Sequence, residues 1–226
     1  MTKEFPNVRT VLFDLDGTLA DTAPDLADAL NAVRLQRGLN ALSFDVIRPI
    51  VSHGANALIY LGFELSPGDE GFDLIRQQLL DHYHDNIANK TRLFPGMEAV
   101  LDHLEAAGLN WGVVTNKPSW LTQPLMRELG LHERAACIVS GDTTAKRKPD
   151  PEPMWFACQM AGSRHHDCLY IGDAERDIVA GRRAGMKTLV ALFGYISEHE
   201  DPNQWGADGM IEQAEEILAW LGRKVA

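Results

Sequence analysis

The chain is expected to fold in the α/β class, as a parallel sheet covered by helices on both faces with an all-helical module inserted after the first strand. Three observations lead there. Short apolar runs alternate with helical patterns along most of the sequence. The centres of those runs are apolar at successive positions, as strands buried on both faces require. One long stretch, 22–91, carries helical patterns and no convincing strand.

The first strand is expected at 10–13. Further strands follow at 110–115, 136–140, 168–171, 188–193 and, with a weaker pattern, 209–211. Helices are expected at 96–107, 119–129, 152–161 and 177–184. Gly108, Gly130, Gly162 and Gly185 stand after them as C-terminal stops. Strands that alternate with helices imply a parallel sheet between two helical layers.

Within 22–91, the stretch 24–38 sets Leu26, Leu30, Val33 and Arg37 at helical spacing, with Pro24 near the first turn. The stretch 70–90 repeats the pattern with Phe72, Ile75, Leu79, Tyr83 and Ile87. Hinges are expected at 20–23 and 91–95. The division is then a core of 1–21 and 92–226 and a helical cap of 22–91. An insertion at the carboxyl end of a parallel strand overhangs the place where such sheets bind ligands. It has the position of a lid; the alternative is a separate scaffold bundle.

Composition limits the function classes. Hydrophobic residues make up 45% and charged residues 23%, as in ordinary globular proteins. Acidic residues number 32 against 21 basic ones, a formal charge of −11. That field disfavours nucleic acid and anionic lipid as partners. An anionic substrate would need local cations or a metal. Cys137, Cys158 and Cys168 form no C-x-x-C pair, and Cys137 and Cys168 lie in apolar runs. This suits a reducing compartment. Residues 1–8 are polar, and no apolar run approaches the roughly 20 residues of a membrane span. The expected location is cytoplasmic.

Chemistry-bearing residues stand at the strand ends. The first strand runs into Asp14-Leu15-Asp16-Gly17-Thr18. Side chains alternate in extended chain, so Asp14 and Asp16 can point the same way. Adjacent carboxylates repel unless a proton or a cation intervenes, and hard divalent metals prefer oxygen ligands. The plain alternative is an Asp-Gly turn. A second acidic cluster, Gly172-Asp173-Ala174-Glu175-Arg176-Asp177, follows the strand at 168–171. Asp177 alone could be a helix cap; Asp173 precedes the helix and is less easily explained so. Converging acidic strand ends in one cleft call for Mg²⁺.

The strand at 110–115 ends in Thr115-Asn116-Lys117. A threonine hydroxyl and free backbone N–H groups suit phosphate, although a polar helix-capping turn would look the same. Lys146-Arg147-Lys148-Pro149 follows the strand at 136–140. Lys146 and Arg147 are expected on a solvated surface. Pro149 holds Lys148 in extended geometry, where its ammonium can offset both Asp14 and a bound phosphate.

These four segments, in this order at four strand ends, resemble the haloacid dehalogenase superfamily of phosphatases, in its phosphoglycolate phosphatase-like branch. The resemblance spans nearly the whole chain. It implies a Rossmann-like core with a helical cap and Mg²⁺ as cofactor. It further implies Asp14 as nucleophile, Asp16 as acid and base, and Lys148 as charge-offsetting group. The metal would be held by the Asp14 and Asp173 carboxylates and the Asp16 carbonyl, with Asp177 in support. Thr115 and the Asn116 backbone would bind phosphate. The loop Val51-Ser52-His53-Gly54-Ala55 matches the position of the branch's specificity loop, which makes Ser52, His53 and Gly54 candidate substrate contacts, with Arg48 a weaker one.

The implied partner is a small anionic phosphate ester. The segments Gly194-Tyr195-Ile196, 202–208 and 111–118 also resemble the N-acetylmuramic acid 6-phosphate phosphatases. Both substrates carry a carboxylate, so His53 does not separate them. Trp205 is expected to anchor its loop by packing rather than to bind sugar. A dehalogenase would not need Asp16, since halide leaves without a proton. A phosphomutase of the same superfamily would isomerise a phosphosugar. A phospho-accepting signalling module would be shorter, with no cap. His165 and His166 face different directions without acidic or cysteine partners and are expected in a surface loop.

Overall fold

Alternate residues of each central strand are buried in different layers. In β1 (Thr10–Phe13), Val11 and Phe13 join one apolar cluster while Leu12 joins another. The computed structural model describes residues 4–222; residues 1–3 and 223–226, which the expected core includes, lie outside it. After β1 come β2 (Ala20–Asp21) and four helices: α1 (Ala23–Gln36), α2 (Phe44–Ile47), α3 (Ala55–Phe63) and α4 (Phe72–Asp85). A 3₁₀ turn, Arg48–His53, joins α2 to α3. β3 (Arg92–Leu93) then returns the chain to the sheet. The remainder alternates as α5 (Met97–Ala106), β4 (Asn110–Val114), α6 (Ser119–Glu128), β5 (Cys137–Val139) and α7 (Glu152–Met160). It ends with β6 (Cys168–Gly172), α8 (Glu175–Ala184), β7 (Lys187–Ala191), β8 (Gly209–Ile211) and α9 (Glu216–Trp220).

Six strands pair in the order β5-β4-β1-β6-β7-β8, all parallel. α5, α6 and α9 cover one face, where Leu101, Leu125 and Ile217 are fully buried. α7 and α8 cover the other, where Met154 and Ala180 meet Leu12 and Tyr170. Helix layers on both faces explain why the strands carry no polar alternation. No helix among the described residues is long and apolar enough to cross a membrane.

The strands expected at 10–13 and 209–211 are present with those bounds, and the other expected strands and helices are present with altered ends. The strand expected at 188–193 stops at Ala191, because Gly194 turns back to bond the Ala191 carbonyl. The helix expected from 177 begins at Glu175, so Asp177 is its third residue and accepts from the Ala174 N–H at 3.1 Å. The expected hinges hold a feature not foreseen. β2 and β3 pair antiparallel, Ala20 with Leu93 and Asp21 with Arg92. Asp25 seals the junction by accepting from the N–H groups of Lys90 (3.0 Å) and Thr91 (2.8 Å) and from the Thr91 hydroxyl (2.7 Å). Both connections of the helical segment are therefore tied together at their base. Above them α1 packs on α4 and α3 through Leu26, Leu30, Leu58, Leu79 and Tyr83.

Candidate active site at the strand ends

The register brings the carboxyl ends of three strands level. Phe13 lies opposite Ile171 on one side and Val113 on the other. The next residues are Asp14, Asp173 beyond Gly172, and Thr115 beyond Val114. The sheet continues under the site, since the Asp14 N–H bonds the Ile171 carbonyl and the Thr115 N–H the Val139 carbonyl, both at 2.9 Å. Gly17 leaves the motif with φ +84°, and a Cβ there would strike the Asp173 carboxylate. Only glycine permits both the turn and that approach.

Asp14, Asp173 and Asp177 are buried and offer carboxylate oxygens within 4.8 Å of one another. Lys148 enters among them with its side chain fully enclosed. Its Nζ stands 2.9 Å from Asp14 Oδ1 and 2.7 Å from Asp177 Oδ1. It also donates to the Val114 carbonyl at 2.9 Å and the Tyr170 hydroxyl at 2.8 Å. Asp173 is held by the Tyr195 N–H (2.9 Å), the Ser52 hydroxyl (2.7 Å) and the Thr18 hydroxyl (3.3 Å). Burial raises the Asp14 carboxyl, against the pull of Lys148. Burial, then the charges of Asp14 and Asp177, pushes Asp173 up to about 7. Three carboxylates, Asp14, Asp173 and Asp177, thus share two cations, Lys148 and Arg176. An all-oxygen donor set with surplus negative charge fits a hard divalent cation.

The Asp16 carboxylate stands apart from that cluster. It accepts from Lys117 Nζ at 2.8 Å and from the Thr22 hydroxyl at 2.6 Å. What the family resemblance implies for Asp16 at a metal is its backbone carbonyl. Burial opposes the Lys117 charge, but the Asp16 and Tyr83 interactions outweigh it and keep the ammonium charged. The Tyr83 ring, from α4, lies 4.5 Å from Lys117 Nζ, and burial pushes its phenol up to about 12.

A cavity of about 360 Å³ opens over this floor. Asp14, Asp16, Thr115 and Asn116 line it from the sheet side, and Ser52, His53 and Gly54 from the helical segment. The Thr115 hydroxyl accepts from the Lys117 N–H at 3.1 Å, and Asn116 Nδ2 donates to the Lys148 carbonyl at 3.0 Å. Ser52 reaches Asp173, and its own carbonyl accepts from Arg176 at 2.6 Å. His53 is half-exposed, its Nε2 3.8 Å from Glu200 Oε2.

The weaker cap candidate falls outside the site, and the surface and packing expectations hold. Arg147 is exposed, as expected, and it also lines the cavity. Arg48 is absent from the lining; it donates to the Phe193 and Gly194 carbonyls at 3.0 Å and lies 4.9 Å from the Tyr195 ring. It therefore clamps the helical segment to the loop after β7. Trp205 is buried against Ile178 and Val190, as packing required, and His165 and His166 are exposed. Sequence reasoning assigned no role to Lys117, Arg176 or Tyr195. The first two sit inside quoted motifs, but their partners lie far along the chain. Tyr195 bonds across even greater separation: its hydroxyl donates to Asp21 at 2.7 Å and accepts from the Ala23 N–H at 2.9 Å.

A parallel sheet with clustered carboxylates at its strand ends and a helical segment entering after β1 defines a hydrolase class. The chain belongs to the haloacid dehalogenase-like hydrolase family, whose pattern matches residues 11–191. Among particular relatives, it is 41% identical over 210 residues to the N-acetylmuramic acid 6-phosphate phosphatase of Pseudomonas putida, covering 93% of this chain and 94% of that one. It is also 41% identical over 215 residues to the phosphoglycolate phosphatase of Xanthomonas campestris pv. campestris, covering 94% and 97%. The structure of a predicted phosphoglycolate phosphatase from Haemophilus somnus superposes with a TM-score of 0.84 at 27% identity, over 94% of this chain and 97% of that one.

Proposed function

We propose that this protein is a Mg²⁺-dependent phosphomonoesterase that hydrolyses a small phosphorylated metabolite through an aspartyl-phosphate on Asp14. The observation that carries the proposal is the division of labour between two neighbouring carboxylates. Asp14 lies on the cavity floor within the buried acidic cluster that Lys148 enters, whereas Asp16 lines the same cavity in a separate hydrogen-bonded setting. One suits attack on phosphorus, the other proton transfer to the leaving oxygen. The phosphatase names of the relatives agree with this reading.

In the first step an Asp14 carboxylate oxygen bonds to phosphorus as the ester P–O bond breaks. Asp16 gives its proton to the departing alkoxide. In the second step Asp16 takes a proton from water as that water attacks phosphorus, and inorganic phosphate leaves with Asp14 restored. The Thr115 hydroxyl and Asn116 N–H are suited to hold phosphate oxygens, and Lys148 keeps the charge on Asp14 and the phosphoryl group offset. A divalent cation held by Asp14, Asp173 and the Asp16 carbonyl, with Asp177 in support, would supply further charge neutralisation. The segment 22–91 serves as a cap over the core of 1–21 and 92–226, and Ser52, His53 and Gly54 face the substrate.

Both relatives' substrates, phosphoglycolate and N-acetylmuramic acid 6-phosphate, pair a phosphate ester with a carboxylate. The cavity volume and its apolar lining by Leu26, Leu58, Leu80 and Leu121 favour the larger one. Phosphate release from each ester, measured with Mg²⁺ and in excess chelator, tests the proposal. Release with Mg²⁺ that chelator abolishes and added Mg²⁺ restores is the expected result. Full activity in chelator would refute the metal dependence, and no release from any phosphate ester would refute the function.

A further inference from the structure

The cavity over Asp14 holds a cation that phosphoryl transfer does not use. Arg76, Lys117, Arg147 and Arg176 all line it. Lys117 is engaged by Asp16. Arg176 is held charged, against burial, by Asp177, Asp14 and Asp173, and it donates to the Ser52 carbonyl. Arg147 is exposed on the loop before Lys148. Arg76 differs from all three. It projects from α4 in the helical segment and is partly buried; like the exposed Arg147 it has no acidic partner among the described residues, but unlike Arg147 it is oriented by a neighbour on the cavity wall. Its Nε donates to Asn56 Oδ1 at 3.1 Å, and Asn56 lines the same cavity.

That contact orients a guanidinium without neutralising it. With Nε engaged by a neutral amide, the two Nη groups have no hydrogen-bond partner among the described residues. A guanidinium edge with two parallel N–H donors matches a carboxylate. We infer that Arg76, oriented by Asn56, recognises a carboxylate on the substrate, and that this carboxylate is carried on a sugar-sized body. The inference rests on the phosphatase reading above. Size enters through the cavity: about 360 Å³ lies within the roughly 300–1,000 Å³ of pockets that enclose drug-sized ligands. A two-carbon acid would leave most of it, and most of its apolar wall, unfilled.

The test compares kcat/KM on N-acetylmuramic acid 6-phosphate with that on N-acetylglucosamine 6-phosphate, the same amino sugar without the lactyl acid. The wild-type enzyme is expected to favour the acid. Arg76→Gln lowers that preference by about 10–100-fold, the effect of losing a charge-assisted bidentate contact. Arg76→Lys, which keeps the charge but not the fork, lowers it less. Arg147→Gln shifts it by under about threefold. A folded Arg76→Gln that keeps the wild-type preference, or an Arg147→Gln that abolishes it, overturns the assignment. Wild-type turnover of phosphoglycolate with neither sugar hydrolysed overturns the sugar-sized body while leaving the phosphatase intact. No phosphate release from any of the three esters instead removes the underlying function, and the inference with it.

Discussion

The floor and the wall of the cavity are built on opposite terms. On the floor, Asp14, Lys148, Asp173 and Asp177 are each at most 3% exposed, and every one is gripped by several partners. On the wall given by the helical segment, His53 and Asn56 are exposed and Arg76 is only partly buried, with one polar side-chain contact apiece among the described residues. Buried charge is costly unless compensated. The floor groups therefore depend on one another for stability as well as for chemistry. The wall groups remain solvated and can be exchanged at little cost to the fold, which suits residues that choose among substrates.

Asp14→Asn is expected to have the largest effect. It removes the nucleophile and should lower kcat by at least about 10⁴-fold in a variant that still folds. A folded variant with near-normal turnover would break the assignment of Asp14. Next comes Lys148→Met, which leaves the Asp14 and Asp177 carboxylates without their shared ammonium. Urea denaturation should show a loss of about 3–5 kcal/mol together with lost activity. An unchanged urea midpoint would mean that the floor is less interdependent than its geometry implies.

Tyr195→Phe tests the seam between the two regions. It deletes the hydroxyl that bridges Asp21 and the Ala23 N–H. The expected cost is about 1–3 kcal/mol for stranded buried polar groups, measured by the same denaturation. His53→Ala should be the mildest. On the half-exposed wall it should change stability by less than about 0.5 kcal/mol, with any kinetic change appearing in KM. A large stability loss there would erase the contrast between floor and wall.

Much of this was legible before folding. The apolar runs and their glycine stops marked the sheet and its helices, because burial on both faces and helix termination leave local signatures. The acidic motifs announced themselves by standing directly after strands. Parallel pairing then implied that Asp14 and Asp173 would meet. The helical stretch 22–91 was visible as a break in the alternation, though the β2–β3 ribbon at its base was not, since two-residue strands carry no pattern.

Tertiary structure alone decided how the charges were shared. Alternation along the chain allows Asp14 and Asp16 to point together, yet the fold gives Asp14 to Lys148 and Asp16 to Lys117. Asp177, placed in the acidic cluster with a helix cap as the alternative, proves to be both a cap for Ala174 and a member of the buried cluster. Arg147 is solvated as expected and yet lines the cavity, while Arg48 clamps the loop after β7. The physical reason is one of range. Backbone preference and apolar periodicity act within a few residues of the chain. Compensation of a buried charge is settled only when the collapsed core removes water and leaves each carboxylate with whichever cation the packing has brought beside it.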